Sequence, residues 1–204
     1  MKLLTMGSAL AALLAPALTH GADFMGVELG TKFDMPECQF TGEGYGARYT
    51  FSFDQPVRPC WKHSILKGKP GGPLDKEGSF KIDFVTSDGK SPLGVRSDPT
   101  LIVVDGIVEG VQTSTSGYEH QDSLLRALES KFGKPTSLKA EAMENRMGAS
   151  FTSHEAVWKT PVFEVNFSGM VSSIDYGHIS VYTPKATAFV MAEYERKQKA
   201  APSF

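Results

Sequence analysis

Hydrophobic and polar residues alternate with two different periods along this chain, and the clearest change of period falls between residues 100 and 135. Residues 100–115 are rich in β-branched side chains and are interrupted by Asp105-Gly106, a dipeptide that accepts the positive φ angles of a type I′ turn. This pattern predicts a β-hairpin. From residue 118 to residue 132, apolar residues recur at spacings of three, four and seven, which is typical of a helix with one apolar face.

The sequence also predicts where this helix begins and ends. Ser116 stands three residues before Glu119, which is the spacing of a capping box, and acidic residues in the first turn suit the positive end of the helix dipole. Gly133 offers a left-handed C-terminal cap, and Pro135 prevents continuation. We therefore predict a central helix over about 117–132, with Tyr118 on its apolar face.

Further strands are predicted wherever apolar and polar residues alternate with a period of two. This pattern favours strands at 24–30, 48–53, 80–84, 156–158, 162–167 and 177–182. One helical turn is predicted at 31–35. Residues 138–147 combine helix-forming residues with a position between two strand regions, so we favour a strand there and leave a helix open.

A second helix is predicted at the C-terminal end of the chain. Thr183 is a suitable N-cap, and Pro184 is well placed at the first helical position. The helix should run over about 184–199 and pack through Phe189, Val190 and Tyr194. The fold class that follows is α+β, an antiparallel sheet packed by the central helix and the C-terminal helix, with one disulfide.

Residues 1–22 have the features of a secretory signal peptide. One lysine precedes a nearly continuous apolar stretch, and small residues suitable for cleavage follow. An uncleaved membrane anchor is the alternative, but Gly7, Ser8 and Pro16 interrupt the apolar run. We expect a periplasmic protein without a stable membrane anchor. Residues 23–204 should form a single domain with a mobile loop, rich in glycine and proline, at 54–78.

The remaining composition narrows the possible chemistry. Cys38 and Cys60 are the only cysteines, and an even pair in an exported chain favours one disulfide. The net charge of −2 gives no indication of nucleic-acid binding. Cys60 and His63 have the spacing of a metal pair, but structural zinc normally requires four ligands, so we expect no metal and no cofactor.

Candidate catalytic residues are few. Asp175 and His178 lie close together in the sequence and could form a general acid–base pair, although a polar loop and a solvent-facing strand position are the simpler interpretation. The sequence contains no nucleophile elbow, zinc-protease, P-loop or dinucleotide-binding motif. We therefore assign no catalytic residues and expect that the protein is not an enzyme.

Three residues are candidates for contact with a partner. Trp61 and His63 lie beside the predicted disulfide within the glycine- and proline-rich loop, and Tyr182 lies on the polar side of the last predicted strand. Trp61 could be an exposed anchor for a partner or could fill the edge of the protein's own core, and the second interpretation is favoured because tryptophan is usually largely buried.

Several segments in order resemble small exported bacterial proteins of unknown function. These segments are Gly26-Val-Glu-Leu-Gly30, Pro36-Glu-Cys38, Leu128-Glu-Ser-Lys-Phe-Gly-Lys-Pro135 and Ala156-Val-Trp158. The helix that ends in Phe-Gly-Lys-Pro is also similar to that of small envelope proteins of the kind that includes the assembly lipoprotein BamE and the β-lactamase inhibitor protein. The chain lacks the lipidation cysteine of BamE. The resemblance implies a periplasmic location and a non-catalytic role, and it supplies no site residues.

Three functions are consistent with these observations. The first is a non-catalytic periplasmic binding or envelope-accessory protein that contacts another envelope protein or a cell-wall component. The second is an inhibitor or immunity-type protein that blocks a secreted enzyme through the loop at 54–78 and Trp61. The third is a hydrolase that uses Asp175 and His178.

Overall fold

An eight-stranded antiparallel sheet forms the centre of the molecule. The computed structural model describes residues 22–42, the backbone of 48–50, and residues 59–63, 71–86, 94–96, 99–144 and 148–200. The helices in these residues are α1 (Gln121–Phe132) and α2 (Pro184–Ala200). The strands are β1 (Asp23–Phe24), β2 (Val27–Glu28), β3 (Gln39–Thr41), β4 (Arg48–Thr50), β5 (Cys60–Lys62), β6 (Phe80–Val85), β7 (Thr100–Val104), β8 (Ile107–Thr115), β9 (Ser137–Glu144), β10 (Ser150–Lys159), β11 (Glu164–Ser173) and β12 (Tyr176–Tyr182).

The strands of the main sheet follow the order β5-β6-β7-β8-β12-β11-β10-β9, and every neighbouring pair is antiparallel. The predicted α+β class is therefore confirmed. The hairpin of β7 and β8 is also confirmed, because Asp105 and Gly106 have φ angles of 50° and 73°. Strands β1 with β2 and β3 with β4 form separate two-stranded ribbons. Residues 138–144 belong to a strand, as favoured, whereas 145–147 lie outside the described residues.

The hydrophobic core lies against one face of this sheet. Its centre is a row of register-paired apolar residues that crosses six strands, namely Ile82, Leu101, Val111, Val181, Val165 and Trp158. Leu124 and Leu128 of α1 pack into the same core, together with apolar residues of the segment 22–35. The rings of Phe24 and Phe132, 6.4 Å apart, join that segment to α1. The N-terminal segment and α1 thus share this face.

Helix α2 lies on the opposite face and crosses β8, β7 and β6. Gly110 makes this possible, because a Cβ at that position would lie 2.6 Å from the ring of Tyr182 and 3.1 Å from the Cβ of Ala186. Further along the helix, Lys81 Nζ lies 2.6 Å from the carboxylate of Glu193. Helix α2 therefore covers only the part of this face that is formed by β6, β7 and β8.

The start of α2 is anchored by a buried acid. Glu109 sits at a bulge between β7 and β8, and its carboxylate accepts a hydrogen bond of 2.5 Å from the Thr183 hydroxyl. Lys185 Nζ lies 3.4 Å from the same carboxylate. Thr183 Oγ1 in turn accepts a bond of 3.3 Å from the Ala186 N–H, which confirms the predicted N-cap.

The predicted capping box of α1 is wrong. The helix begins at Gln121 after a 3₁₀ turn over Gly117–Glu119, and the Ser116 side chain makes no capping hydrogen bond. The reason is a tight passage at Gly117, where φ is 61° and a Cβ would lie 2.4 Å from the Ile174 carbonyl oxygen. Tyr118 is consequently outside the core and is 49% exposed.

Three further predictions are corrected by the structure. Residues 31–35 contain no helical turn, because the backbone there bonds to the β7–β8 hairpin: Phe33 N–H donates to Gly106 O over 2.8 Å. Within the loop predicted at 54–78, residues 60–62 form β5, whereas 54–58 and 64–70 lie outside the described residues. Residues 1–21 of the signal peptide predicted at 1–22 lie outside them as well. Tyr194, predicted to pack, is 58% exposed, because at this turn of α2 it is Glu193 that faces the sheet, through its ion pair with Lys81.

Candidate functional site

The predicted disulfide closes one edge of the sheet. Cys38 and Cys60 are bonded, with an S–S distance of 2.06 Å. The bond holds residues 36–38 along the outer side of β5, where they form a parallel bridge. Cys38 N–H donates to the Trp61 carbonyl oxygen, and Trp61 N–H donates to the Pro36 carbonyl oxygen, each over 2.9 Å. Strand β5 is therefore paired on both sides.

Trp61 is not an exposed anchor. Its side chain is 3% exposed and belongs to the core, so the favoured interpretation, a filler of the core edge, is confirmed, and the alternative of an exposed anchor is wrong. The physical reason is the closed edge, because strand pairing on both sides of β5 fixes which way the side chain of Trp61 points. His63 packs edge-on against the indole at 4.5 Å, and its Nε2 lies 3.6 Å from the Glu37 carboxylate.

The candidate acid–base pair is not assembled in the structure. The Asp175 carboxylate accepts a hydrogen bond of 2.6 Å from the Ser173 hydroxyl, and this bond lowers the pKa of Asp175. The backbone oxygen of Asp175 accepts a bond from Arg96. No hydrogen bond or ion pair joins Asp175 to His178. The two residues lie near each other in sequence, but the turn between β11 and β12 directs the carboxylate to its own loop.

His178 instead belongs to a polar surface on the face of the sheet that α2 leaves uncovered. It shares this face with Ser180 and Tyr182, because alternate residues of β12 point the same way. The residues of β8 and β11 that lie directly opposite these three residues point to the same face. The resulting surface, called the open face here, consists of Gln112, Ser114, Glu164, Asn166, Ser168, His178, Ser180 and Tyr182. All of these residues are half-buried except Ser180, which is buried.

Hydrogen bonds organise much of the open face. The Tyr182 hydroxyl donates to the amide oxygen of Gln112. The Ser114 hydroxyl lies 2.9 Å from the hydroxyl of Tyr176, and the Asn166 amide donates to Glu164 over 3.1 Å. These bonds hold the polar side chains in defined positions, which is what a recognition surface requires.

Burial disfavours the charged forms of two groups of the open face, His178 and Tyr182. Partial burial lowers the pKa of His178 and raises the pKa of Tyr182 to about 12. Both changes have the same cause, since removal from water disfavours the charged form of either group. At neutral pH the open face thus combines hydroxyl, amide and neutral imidazole groups with one acidic residue, Glu164, at the end next to α2.

A pocket adjoins the open face at the start of α2. It has a volume of about 280 Å³ and is lined by Lys159, Thr160, Phe163, Glu164, Tyr182, Pro184 and Thr187. Phe163 and Tyr182 provide aromatic surface, while Lys159 and Glu164 lie 3.6 Å apart at its rim. Aromatic surface combined with a few polar groups is the usual composition of a small binding site.

A second cavity lies on the side of the molecule formed by the N-terminal segment. Its volume is about 240 Å³, and it is lined mainly by residues 26–36 together with Pro59 and Val108. It contains none of the three residues predicted to contact a partner. Of those three, Tyr182 alone lies beside both the open face and a pocket, whereas Trp61 and His63 pack at the closed edge of the sheet.

Sequence reasoning found part of this site and missed the rest. The alternation in β12 places His178 and Tyr182 on the polar side of this strand, in agreement with the sequence, and Ser180 lies between them on the same side. Gln112 and Asn166 could not be assigned to the same surface, because that requires the knowledge that β12 lies between β8 and β11. The pocket residues Thr160 and Thr187 come from a turn and a helix that only the folded chain brings together.

Comparison with protein-family models, curated proteins and solved structures finds no match. Neither helix in the described part of the chain is long and apolar enough to cross a membrane. In the same residues, no group of three histidine, cysteine, aspartate or glutamate side chains is arranged to hold a metal ion. The candidate site therefore rests on its own geometry.

Proposed function

We propose that this chain is a non-catalytic binding protein of the bacterial periplasm that contacts another envelope protein through the open face and the adjoining pocket. The observation that carries the proposal is the half-covered sheet: α2 covers one flank, and an ordered polar surface is left beside it. The predicted signal peptide and the disulfide between Cys38 and Cys60 support the periplasmic location.

The open face retains unused hydrogen-bonding capacity. The imidazole of His178 and the hydroxyl of Ser168 form no hydrogen bond with other described side chains. A tyrosine with neighbouring neutral hydrogen-bonding groups is a frequent composition of protein interfaces, whose cores are poor in charge. A protein partner is favoured over a charged ligand for this reason, and a neutral cell-wall glycan is the alternative that the test must separate.

The two competing functions have less support from the described residues. The inhibitor hypothesis used the loop at 54–78 and Trp61; Trp61 is buried, and residues 54–58 and 64–70 of the loop lie outside the described residues. The hydrolase hypothesis relied on Asp175 and His178, which form no pair in the structure. Neither hypothesis gains a replacement site from the geometry described above.

The proposal can be tested by site-specific photo-cross-linking in the periplasm of the source bacterium. A photoreactive residue at Thr187 would lie in the pocket, and one at Ala188 would lie on the same exposed helix outside the pocket lining. We expect a discrete protein adduct at Thr187 and also at Ser168, but not at Ala188. The captured protein, once purified, should bind the wild-type chain and lose affinity for a Thr187→Arg variant.

Two outcomes would contradict this proposal. Equal adducts at Thr187 and Ala188 would show that capture is unrelated to the pocket. Absence of any protein adduct, combined with binding of purified cell-wall fragments that Thr187→Arg abolishes, would show that the ligand is a glycan.

A further inference from the structure

Among the described residues, the outer edge of β9 is open, in contrast to the closed edge at β5. Strand β9 pairs with β10 through eight consecutive register pairs, from Ser137 opposite Val157 to Glu144 opposite Ser150. No described strand pairs with its other side. Seven of its eight residues are exposed, and the remaining one, Met143, is half-buried. An edge of this length displays unpaired N–H and C=O groups that favour pairing with another strand.

The sequence of β9 is self-complementary about one residue. Leu138-Lys-Ala-Glu-Ala142 has Ala140 at its centre, with a basic residue immediately before it and an acidic residue immediately after it. If two copies of β9 pair antiparallel, the two-fold axis is normal to the sheet, and residues directly opposite each other point to the same face. A register centred on Ala140 therefore places Lys139 opposite Glu141 of the second copy, twice.

Other registers lack this match. Centring the axis on Lys139 would oppose two lysines, and centring it on Glu141 would oppose two glutamates. Like charges directly opposite each other on neighbouring strands are destabilising, whereas opposite charges are stabilising. A single lysine on an edge strand usually prevents pairing. Here Glu141, two residues further on the same face, supplies the complement.

The other face of β9 matches equally well in this register. Leu138, Ala140 and Ala142 lie on the face that α1 covers over β10, because Leu138 is opposite the core residue Ala156. Across the axis, Leu138 would lie opposite Ala142 of the second copy, and Ala140 opposite its own counterpart. A large side chain thus faces a small one, and Leu138, which is 51% exposed in the monomer, becomes covered.

We propose that two copies of this chain pair antiparallel through β9, about a two-fold axis at Ala140, and join their sheets into one continuous sheet. The interface uses the edge of β9 that faces away from β10. It includes no residue of the open face, so it is independent of the proposed function. Because the axis is normal to the sheet, both open faces lie on the same side of the dimer.

Cysteine cross-linking tests the register directly. In Ala140→Cys the two introduced thiols would face each other across the axis, at about 4.5–5.5 Å between Cα atoms, within the range for a disulfide. In the matched control Ala142→Cys they would be four residues apart along the strand, about 13 Å, which is too far. Under mild oxidation of the purified mature protein we expect a covalent dimer with Ala140→Cys and none with Ala142→Cys.

Charge exchange tests the pairing without cysteine chemistry. By sedimentation analysis, wild-type protein should be dimeric, and Lys139→Glu should raise the dimer dissociation constant at least about tenfold, since opposed charges become like charges. The double variant Lys139→Glu/Glu141→Lys restores opposite charges across the axis and should dimerise again. Lys134→Glu, an exposed change outside β9, should have no effect, and circular dichroism confirms that each variant is folded.

The proposal is overturned if the wild-type protein stays monomeric at concentrations near 1 mM, about the weakest affinity that a specific dimer could have. It is also overturned if Ala142→Cys cross-links as efficiently as Ala140→Cys, or if the double variant remains monomeric while it is folded. Pairing of β9 with a different protein, in the absence of a homodimer, would likewise exclude a second copy as the occupant.

Discussion

The two halves of the sheet are built differently. Strands β5 to β8 are enclosed, with the N-terminal segment on one face, α2 on the other, and residues 36–38 along the outer edge. Leu101, Ile102 and Val103 are consequently all fully buried, although neighbouring residues of β7 point to opposite faces. Of the other strands, β11 and β10 are covered by α1 on one face, and β9 is largely exposed on both faces.

This difference suggests a division between stability and recognition. The enclosed half contributes apolar burial on both faces and the single disulfide, so it should resist local opening. The other half holds most of the open face, which β8 completes with Gln112 and Ser114, together with the pocket beside Tyr182 and the free edge of β9. A rigid scaffold that positions a polar surface is the usual arrangement of a binding protein.

The largest expected effect is at the closed edge. Trp61→Ala should lower the free energy of unfolding by about 3–5 kcal/mol, because a buried indole is removed and a cavity is left. Urea unfolding of the purified protein measures the loss. A loss below about 1 kcal/mol, the size typical of an average substitution, would show that the closed edge contributes little to stability.

Replacing each of the two buried tryptophans with phenylalanine compares the contributions of their indole N–H groups to stability. In the described residues, the indole N–H of Trp61 has no hydrogen-bond acceptor, whereas that of Trp158 donates to the Gly133 carbonyl oxygen over 2.7 Å. Trp158→Phe should therefore be more destabilising than Trp61→Phe, by about 1 kcal/mol for the lost hydrogen bond.

Removal of the disulfide should have the next largest effect. Cys38→Ala/Cys60→Ala opens a loop whose ends are 22 residues apart, and the chain-entropy model gives a loss of about 3 kcal/mol. Hydrogen exchange should at the same time become faster at the Cys38 and Trp61 amides, which pair across the closed edge. Reduction of the wild-type protein should reproduce both changes and should not affect the double variant.

The sequence was sufficient for those elements that are determined locally. The hairpin at Asp105-Gly106, the end of α1 at Gly133 and the N-cap of α2 at Thr183 all follow from the conformational preferences of a few adjacent residues. The strand at β9 was recovered against its helix-forming composition, because it lies between two strand regions in the sequence.

Features that depend on distant contacts were not predictable in the same way. The capping box at Ser116 failed because Gly117 packs against the turn at Ile174, nearly 60 residues away. Residues 31–35 are extended because they bond to the β7–β8 hairpin. The open face could be predicted only from the order of the strands, which no local sequence pattern reveals. The closed edge could be predicted only if the position of the disulfide alongside β5 were known.

Acidification should destabilise the protein partly through the open face. Burial lowers the pKa of His178 in the folded state, so between the unfolded value of about 6.5 and the lower folded value the unfolded chain binds more protons. Stability is therefore greatest above the unfolded pKa and falls as the pH drops below it. His178→Gln should make the decline in urea midpoint between pH 7.5 and pH 5.5 shallower. Identical slopes for the two proteins would contradict partial burial of this imidazole.

The smallest expected effect is on β9. Leu138→Ala should change the free energy of unfolding by no more than about 0.5 kcal/mol at protein concentrations too low for association, because this leucine is exposed in the monomer. The same chemical change at Leu128 of α1, which is 4% exposed, should cost about 2–5 kcal/mol. Leu128 packs on the less enclosed half of the sheet and Leu138 lies at its free edge. The difference between the two losses therefore compares the core of this half with its edge. If Leu138→Ala proved as costly as Leu128→Ala, something would already cover β9 in the monomer, and that edge could not be free to pair.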